Sequence, residues 1–147
     1  RCPGPPARRA PPSARAADAT VERLEHVALW TRDLDRLRAF YERWFDARAG
    51  ARYDSATRPG FASHFLTLPD GGARLELMTL PALVPAPDGA APAPPVGWAH
   101  VAFALGSREA VDMMTVRMRD AGVPVLSGPR LTGDGYYEAL LRDPDGN

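Results

Sequence analysis

The order of strand and helix patterns occurs twice in this chain, and that duplication constrains the fold more than any other feature. The run His26–Ala28 (His-Val-Ala) recurs at His100–Ala102, an offset of 100 − 26 = 74 residues. Each copy lies in an alternating apolar run, as expected of a β-strand, and an amphipathic helical pattern follows it. A long internal period is typical of a fold built from two similar units. The sequence therefore predicts an α+β domain of two modules, each with the order βαβββ.

Module one occupies residues 21–80 and begins with a strand pattern at 24–30. Asp33 is a good N-cap for a helix over 33–48, and we expect Gly50 to end that helix. The other strand patterns lie near 50–54, 61–68 and 73–80, with a hairpin turn at 69–72 between the last two.

Module two occupies residues 98–147 and repeats this order. Its first strand pattern covers 98–105, and Ser107 caps a helix over 107–121 that Gly122 ends. Adding the offset to Glu76 gives 76 + 74 = 150, so the last strand of module two is missing, and we interpret the sequence as truncated at its C-terminus. The remaining strand patterns lie near 123–127 and 135–142, with a turn at 143–147.

Two segments outside these patterns have compositions that do not form a core. Residues 1–20 are rich in Pro, Ala and Arg, and we expect a disordered tail. Residues 81–97 contain six Pro and are expected to be a linker between the modules.

Composition excludes several classes of function. The 147 residues carry 18 basic and 18 acidic side chains, so the net charge gives no indication of a nucleic-acid partner. No apolar run is long enough to cross a membrane. The only cysteine is Cys2, which excludes a disulfide framework and a cysteine-based metal site and favours a cytoplasmic location.

His26, Glu76 and His100 are the candidate metal ligands, because each lies in the middle of an apolar strand pattern. A buried imidazole or carboxylate costs several kcal/mol unless it is paired, hydrogen-bonded or bound to a metal. Imidazole and carboxylate groups are ligands of Zn²⁺, Ni²⁺ and Fe²⁺. An alternative for Glu76 is an ion pair with Arg74, which has the same strand parity.

Strand parity also predicts which face of each sheet the helix covers. Val27 and Leu29 alternate with His26, and Val101 and Phe103 alternate with the second histidine. We therefore expect these four apolar side chains beneath the helices. Each histidine should lie on the other face of its sheet, and these two faces should line a shared concavity.

The chain resembles the vicinal-oxygen-chelate superfamily, which includes glyoxalase I, the bleomycin-resistance proteins and the extradiol dioxygenases. The resemblance spans about residues 22–147. It rests on four segments in this order: LEHVALWTRDLDRLRAFYERWF, GFASHFLTLPDGGARLELM, GWAHVAFAL and GPRLTGDGYYEALLRDPDGN. It implies two βαβββ modules that curl into a cupped half-barrel around a divalent metal.

The resemblance also implies which residues bind that metal. Ligands come from the first and fourth strands of each module, which correspond here to His26, Glu76 and His100. A fourth ligand, usually a Glu three residues after a D-P-D-G-N turn, has no counterpart in this sequence. The glutamate at 76 favours the glyoxalase branch over the dioxygenase branch. Zn²⁺ or Ni²⁺ is the expected ion, with Fe²⁺ or Mn²⁺ as alternatives.

The implied activity is that of a lyase or isomerase of the glyoxalase I type acting on a small molecule. The metal holds two neighbouring substrate oxygens and stabilises an enediolate while a carboxylate moves the proton. Glu138 is the candidate for that acid–base role, and the offset relates it to His64. Trp30, Tyr136 and Tyr137 are candidates for pocket walls, although aromatic residues on strands are more often packing.

Several alternatives stay open at this point. The chain is a metal-free ligand-sequestering protein of the bleomycin-resistance type, a metal-dependent dioxygenase, or an inactive fragment. The two modules either close one cup within a chain or swap between the chains of a homodimer.

Overall fold

The computed structural model describes residues 24–84 and 99–147. The predicted tail (1–20) and most of the predicted linker (85–97) lie outside these residues. In the part described, the chain forms two helices and two sheets, which confirms the predicted α+β class. The elements of module one are β1 (His26–Trp30), α1 (Leu34–Phe45), β2 (Arg48–Ala49), β3 (Tyr53–Asp54), β4 (Ala62–Thr67) and β5 (Arg74–Thr79).

The sheet of module one is centred on β5. Strand β5 pairs in parallel with β1 and antiparallel with β4, and the short strands β2 and β3 pair with the other edge of β4. The predicted hairpin between β4 and β5 is present, and Asp70 accepts a hydrogen bond from the Gly72 N–H at 3.1 Å in its turn. Strand β1 is thus held by β5, the last strand of its own module.

Helix α1 begins as predicted but ends earlier. The Asp33 side chain accepts a hydrogen bond from the Arg36 N–H at 3.0 Å, which caps the first turn. The prediction that Gly50 ends the helix is wrong, because Asp46 adopts the left-handed conformation (φ 50°) directly after Phe45. A short polar residue tolerates that conformation, so a glycine is not required.

The core of module one lies between α1 and one face of this sheet. Three large side chains of this core, Leu37, Leu66 and Leu77, are fully buried. Each contributes about 1.5–3 kcal/mol by burial. Val27 and Leu29 pack against this core, as strand parity predicted.

Module two has fewer paired strands. Its elements are α2 (Arg108–Asp120), β6 (Val125–Leu131) and β7 (Tyr137–Leu141), and the two strands form an antiparallel pair. Ser107 caps α2 as predicted, through a 3.1 Å hydrogen bond from the Ala110 N–H. Gly122 has a positive φ of 83° just after the helix, as expected of a helix terminator.

The predicted strand at 98–105 is not formed in the part of it that the structure describes, residues 99–105. The physical reason is the absence of a partner among the described residues. In module one β5 pairs with β1, whereas in module two the described strands β6 and β7 pair only with each other. An alternating apolar pattern without a partner strand leaves its backbone groups outside any ladder.

The two modules contact each other through α1. Phe103 stacks on Phe45 with ring centroids 4.0 Å apart, and the Tyr41 ring lies 6.0 Å from the Phe103 ring between centroids. Phe103 is thus beneath the helix of module one, which corrects the expectation that it lies beneath α2. Val101 is 38% exposed, so the expectation that a helix covers it is also wrong.

The turn after β7 is fixed to α1 by a buried carboxylate. Asp143 accepts a hydrogen bond from the Tyr41 hydroxyl at 3.1 Å and further bonds from the N–H groups of Asp145 and Asn147. A buried hydrogen bond contributes about 0.5–1.5 kcal/mol. In the nearby ion pair from Arg36 to Asp145, at 2.6 Å, the arginine is half exposed and screened by solvent, so the pair contributes about 0–1 kcal/mol. Asp143 is therefore the stronger of these two polar links between the modules.

Neither α1 nor α2, the helices of the described residues, has the length and apolar character that a membrane span requires.

Candidate metal centre

Strand register brings His26 and Glu76 to the same face of the sheet of module one. Ala28 is the register partner of Glu76 on β5, and His26 lies two residues before Ala28, so all three share one face. His26 Nε2 lies 3.7 Å from Glu76 Oε2. We call this face, which is opposite α1, the open face of module one.

The other ring nitrogen of His26 contacts a second carboxylate. Nδ1 hydrogen-bonds to Oε2 of Glu25, and Oε1 of Glu25 accepts a hydrogen bond from Arg74 Nε at 2.9 Å. The hydrogen bond with His26 and the guanidinium of Arg74 lower the pKa of the Glu25 carboxyl from its ordinary value. An ionised Glu25 accepts a hydrogen bond from Nδ1–H, and Nε2, with its lone pair, is then directed away from Glu25.

Arg74 therefore has a different partner from the one considered in the sequence. Its guanidinium binds Glu25 and lies 4.1 Å above the ring of Phe65. The alternative in which Arg74 pairs with Glu76 is wrong in this structure, because Arg74 binds Glu25 and the ring of His26 is the group within 4 Å of Glu76. Phe65 also contacts His26 edge-to-face at 5.2 Å, so it packs against both the histidine and the arginine.

His100 does not join this pair within the chain. It is exposed, and residues 24–84 and 99–147 contain no group of three His, Cys, Asp or Glu side chains close enough to hold one ion. The expectation that three ligands converge within one copy is therefore not met in this structure. The assignment of the three residues as ligands stays a prediction.

Glu138 lies on the exposed face of the β6–β7 sheet. Its carboxylate is 47% exposed and lies 3.1 Å from Nη2 of Arg130, its register partner on β6. Tyr137, the neighbouring residue, faces α2 instead, and its hydroxyl donates to Asp112 at 2.7 Å. Tyr137 is therefore packing and not a pocket wall.

His64 and Glu138 are not structural equivalents, although the offset of 74 relates them. His64 is buried with the core of module one, and its Nδ1 lies 3.0 Å from the carbonyl oxygen of Gly50. Even-numbered residues of β4 face the core, whereas odd-numbered residues of β7 are the more buried ones. The turns after β4 and β7 show the same shift, since Asp70 and Asp145 are 145 − 70 = 75 residues apart, one more than the offset of 74. Strands β4 and β7 are thus related by 75 residues, and not by the 74 that relate the two histidines.

The open face also carries aromatic residues that the sequence did not assign to a common site. Trp30 extends from β1, and Phe61, just before β4, lies 6.2 Å from it between ring centroids. Tyr53 also contacts Phe61, at the same centroid distance. The signal for this cluster was parity: Trp30 has the parity of His26, and Phe61 has that of Phe65.

The donor chemistry of the His26–Glu76 pair fits a divalent metal ion. Zn²⁺ binds imidazole nitrogen and carboxylate oxygen at about 2.0–2.2 Å, so one ion reaches two donors that lie 3.7 Å apart. A metal-binding histidine usually donates its second N–H to a carboxylate or a carbonyl, and Glu25 supplies that acceptor. Two donors are fewer than a stable site needs, so further ligands must come from elsewhere.

A scan of protein-family models matches residues 23–147 to the Glyoxalase/Bleomycin resistance protein/Dioxygenase superfamily. No curated protein matches the chain significantly.

Solved structures of this superfamily have the same fold. A glyoxylase/bleomycin resistance protein/dioxygenase domain from Frankia sp. EAN1pec superposes with a TM-score of 0.69 at 22% identity, covering 86% of this chain and 93% of that one. Lactoylglutathione lyase from Agrobacterium tumefaciens gives 0.59 at 25% identity, with 88% and 91% covered. A mutant of the fosfomycin resistance protein FosX from Listeria monocytogenes, complexed with Mn(II) and a dihydroxypropylphosphonic acid, gives 0.60 at 22% identity, with 86% and 87% covered.

Proposed function

The chain belongs to the Glyoxalase/Bleomycin resistance protein/Dioxygenase superfamily, and on that premise we propose that it is a divalent-metal-dependent lyase or isomerase similar to glyoxalase I. The observation that supports this most is the His26–Glu76 pair on the open face, with Glu25 behind the histidine. A carboxylate that accepts a hydrogen bond from Nδ1–H keeps Nε2 available as a metal ligand. A histidine with a merely structural role has no need of both partners.

We propose that His100 of a second copy completes the site in a homodimer. Within one chain the modules contact each other through α1, Phe103 and the turn at Asp143, and this packing leaves the open face of module one uncovered. His100 is exposed and free to meet that face in another copy. The arrangement is the swapped one of the two that the sequence leaves open.

In this proposal, each residue of the chain has a separate task. His26, Glu76 and His100 hold the ion, and Glu25 and Arg74 orient His26. Glu138 accepts and returns the substrate proton through its exposed carboxylate. The bound ion would supply Lewis-acid stabilisation of negative charge on two neighbouring substrate oxygens.

The donor set favours Zn²⁺ or Ni²⁺, with Fe²⁺ or Mn²⁺ as alternatives. The Mn(II) in the Listeria FosX complex supports a divalent ion on this fold. The expected substrate is a small molecule, and a cytoplasmic location remains a prediction from the cysteine content.

A second candidate is a metal-free protein that sequesters a ligand. The lack of a three-donor group within the described residues of one chain favours this alternative. Metal affinity separates the two functions, because a sequestering protein does not need a metal-binding histidine.

The test is calorimetric titration of the metal-free protein with Zn²⁺ and Ni²⁺. We expect about one ion per site, and His26→Ala and Glu76→Gln should each weaken binding by about tenfold or more. Glu42→Gln is the matched control, because Glu42 is an exposed carboxylate on α1, away from the open face. Equal affinity in all four proteins, or no binding in the wild type, would leave the metal-free function as the better explanation.

A further inference from the structure

The aromatic cluster of Trp30, Phe61 and Tyr53 is partly open to solvent. Trp30 is 43% exposed and Tyr53 is 56% exposed, while each lies edge-on to Phe61. Rings that pack together and still expose their surfaces gain free energy when another apolar group covers them. The cluster thus has the properties of a binding surface as well as those of packing.

A guanidinium lies directly over this cluster. Arg58 Cζ is 5.4 Å from the centroid of Phe61 and 5.9 Å from that of Trp30. Within the described residues Arg58 forms no ion pair, whereas the nearby Arg52 pairs with Asp54 at 3.0 Å. The stacking holds the planar group in place and leaves its N–H donors for a partner outside the chain.

Strand register relates this cluster to the candidate metal ligands. Trp30 is the register partner of Met78 on β5, and Met78 lies two residues beyond Glu76. Two residues of strand span about 6.6 Å. Met78 lies on this face between the cluster and Glu76, and the small side chains of Ala28 and Ser63 flank it. A small molecule of about that length would therefore lie across Met78, with one end at the cluster and the other at Glu76.

We propose that Arg58, Trp30 and Phe61 form a subsite for the carboxylate of a small substrate whose apolar body reaches toward Glu76. The placement of the reacting end at His26 and Glu76 rests on the proposed function, whereas the carboxylate subsite is testable by binding alone. The substrate class is then an aryl or alkyl carboxylic acid that carries two neighbouring oxygens at its other end.

The charge of the cluster favours a carboxylate over a phosphate. One guanidinium binds one carboxylate through two parallel N–H···O bonds and neutralises it. A phosphate monoester carries up to two charges and would leave one of them uncompensated. The rings beside Arg58 cover the apolar body of an acid, which a free inorganic anion lacks.

The test uses phenylacetate as the probe, with calorimetry for affinity and the indole N–H resonance of Trp30 as a reporter of position. We expect phenylacetate to shift that resonance and to bind at least about tenfold more weakly to Arg58→Gln, since a charged hydrogen-bonded pair is lost. Phenylacetamide, which has no charge, should bind the wild type and Arg58→Gln equally weakly. Arg52→Gln is the matched control and should keep the affinity for phenylacetate within about twofold.

Three results would overturn the proposal. They are equal phenylacetate binding by wild type and Arg58→Gln, an unshifted Trp30 resonance, and phenylphosphonate binding much more tightly than phenylacetate, which would assign the cluster to phosphate. Zn²⁺ titration of Arg58→Gln distinguishes failure of the carboxylate subsite from failure of the proposed metal-dependent function. Its metal affinity should equal that of the wild type, because Arg58 does not contact His26 or Glu76.

Discussion

Module one and module two have the same order of patterns, yet only module one forms a complete sheet in the residues that the structure describes. Strand β1 pairs with β5 and lies over the core that the helix of its own module covers, and that core contains fully buried leucines. The matching pattern at 99–105 has no strand partner within 24–84 and 99–147, and Phe103 packs against α1 instead of α2. An alternating pattern therefore determines which face of a segment is apolar, while a partner strand determines whether that segment forms a strand.

The largest expected difference between the modules is in core packing. Leu77→Ala, at the centre of β5, should lower the free energy of unfolding by about 2–5 kcal/mol, because the residue is completely buried. Leu141→Ala, on the half-buried face of β7, should cost clearly less. Urea denaturation of both variants measures this, and an equal cost would show that module two has a core as tight as that of module one.

The link between the modules should give the next largest effect. Tyr41→Phe removes the donor to buried Asp143 and should lower the free energy of unfolding by about 1–3 kcal/mol, since the carboxylate loses a partner. Tyr137→Phe is the matched control, because it removes an exposed tyrosine–aspartate hydrogen bond within module two. Equal destabilisation by the two variants in urea would argue against Asp143 as the main link.

Tyr41 should also make stability depend on alkaline pH. Burial, together with the negative charge of Asp143, raises the pKa of Tyr41 above its ordinary value of 10.0. Above about pH 10 the unfolded chain releases this proton while the folded chain retains it, so stability falls as pH rises. Urea midpoints between pH 8 and 11 should fall more steeply for the wild type than for Tyr41→Phe, and parallel curves would contradict this assignment.

The smallest expected effect concerns the residue behind His26. Glu25→Gln keeps the shape of the side chain but removes the negative charge of the group that accepts the hydrogen bond from Nδ1–H, so Zn²⁺ affinity should fall by about tenfold. The ¹⁵N shifts of the His26 ring should report a changed tautomer balance in the metal-free protein. Unchanged shifts and affinity would make Glu25 a surface residue without a role in the site.

Much of this arrangement followed from local sequence signals. Asp33 and Ser107 predicted the helix starts, because a capping side chain acts within one turn. Strand parity predicted that His26 lies on the face opposite Val27 and Leu29, whereas the β1–β5 register that puts Glu76 on the same face is seen only in the structure. Glu25 was not predictable in this way, because adjacent strand residues point to opposite faces and Glu25 lies just before β1, where that alternation does not hold.

Features that depend on distant partners were not predictable. The one-residue shift that separates His64 from Glu138 arises between the modules, and a repeat counted from the first strands does not register it. The cluster around Phe61 depends on how loop residues such as Arg58 fold back over the sheet. No local pattern encodes such a contact, whereas parity alone placed Trp30 on the correct face.

The central claim is that module one of one copy and module two of another share one metal ion. The most direct test is Zn²⁺ binding by His26→Ala, by His100→Ala, and by the two variants mixed under conditions that exchange chains. Each variant alone should lose most of its affinity. A mixed dimer contains one site without either mutation, so random exchange should restore about a quarter of the wild-type sites. No recovery after mixing, with exchange verified by mass spectrometry, would contradict the claim.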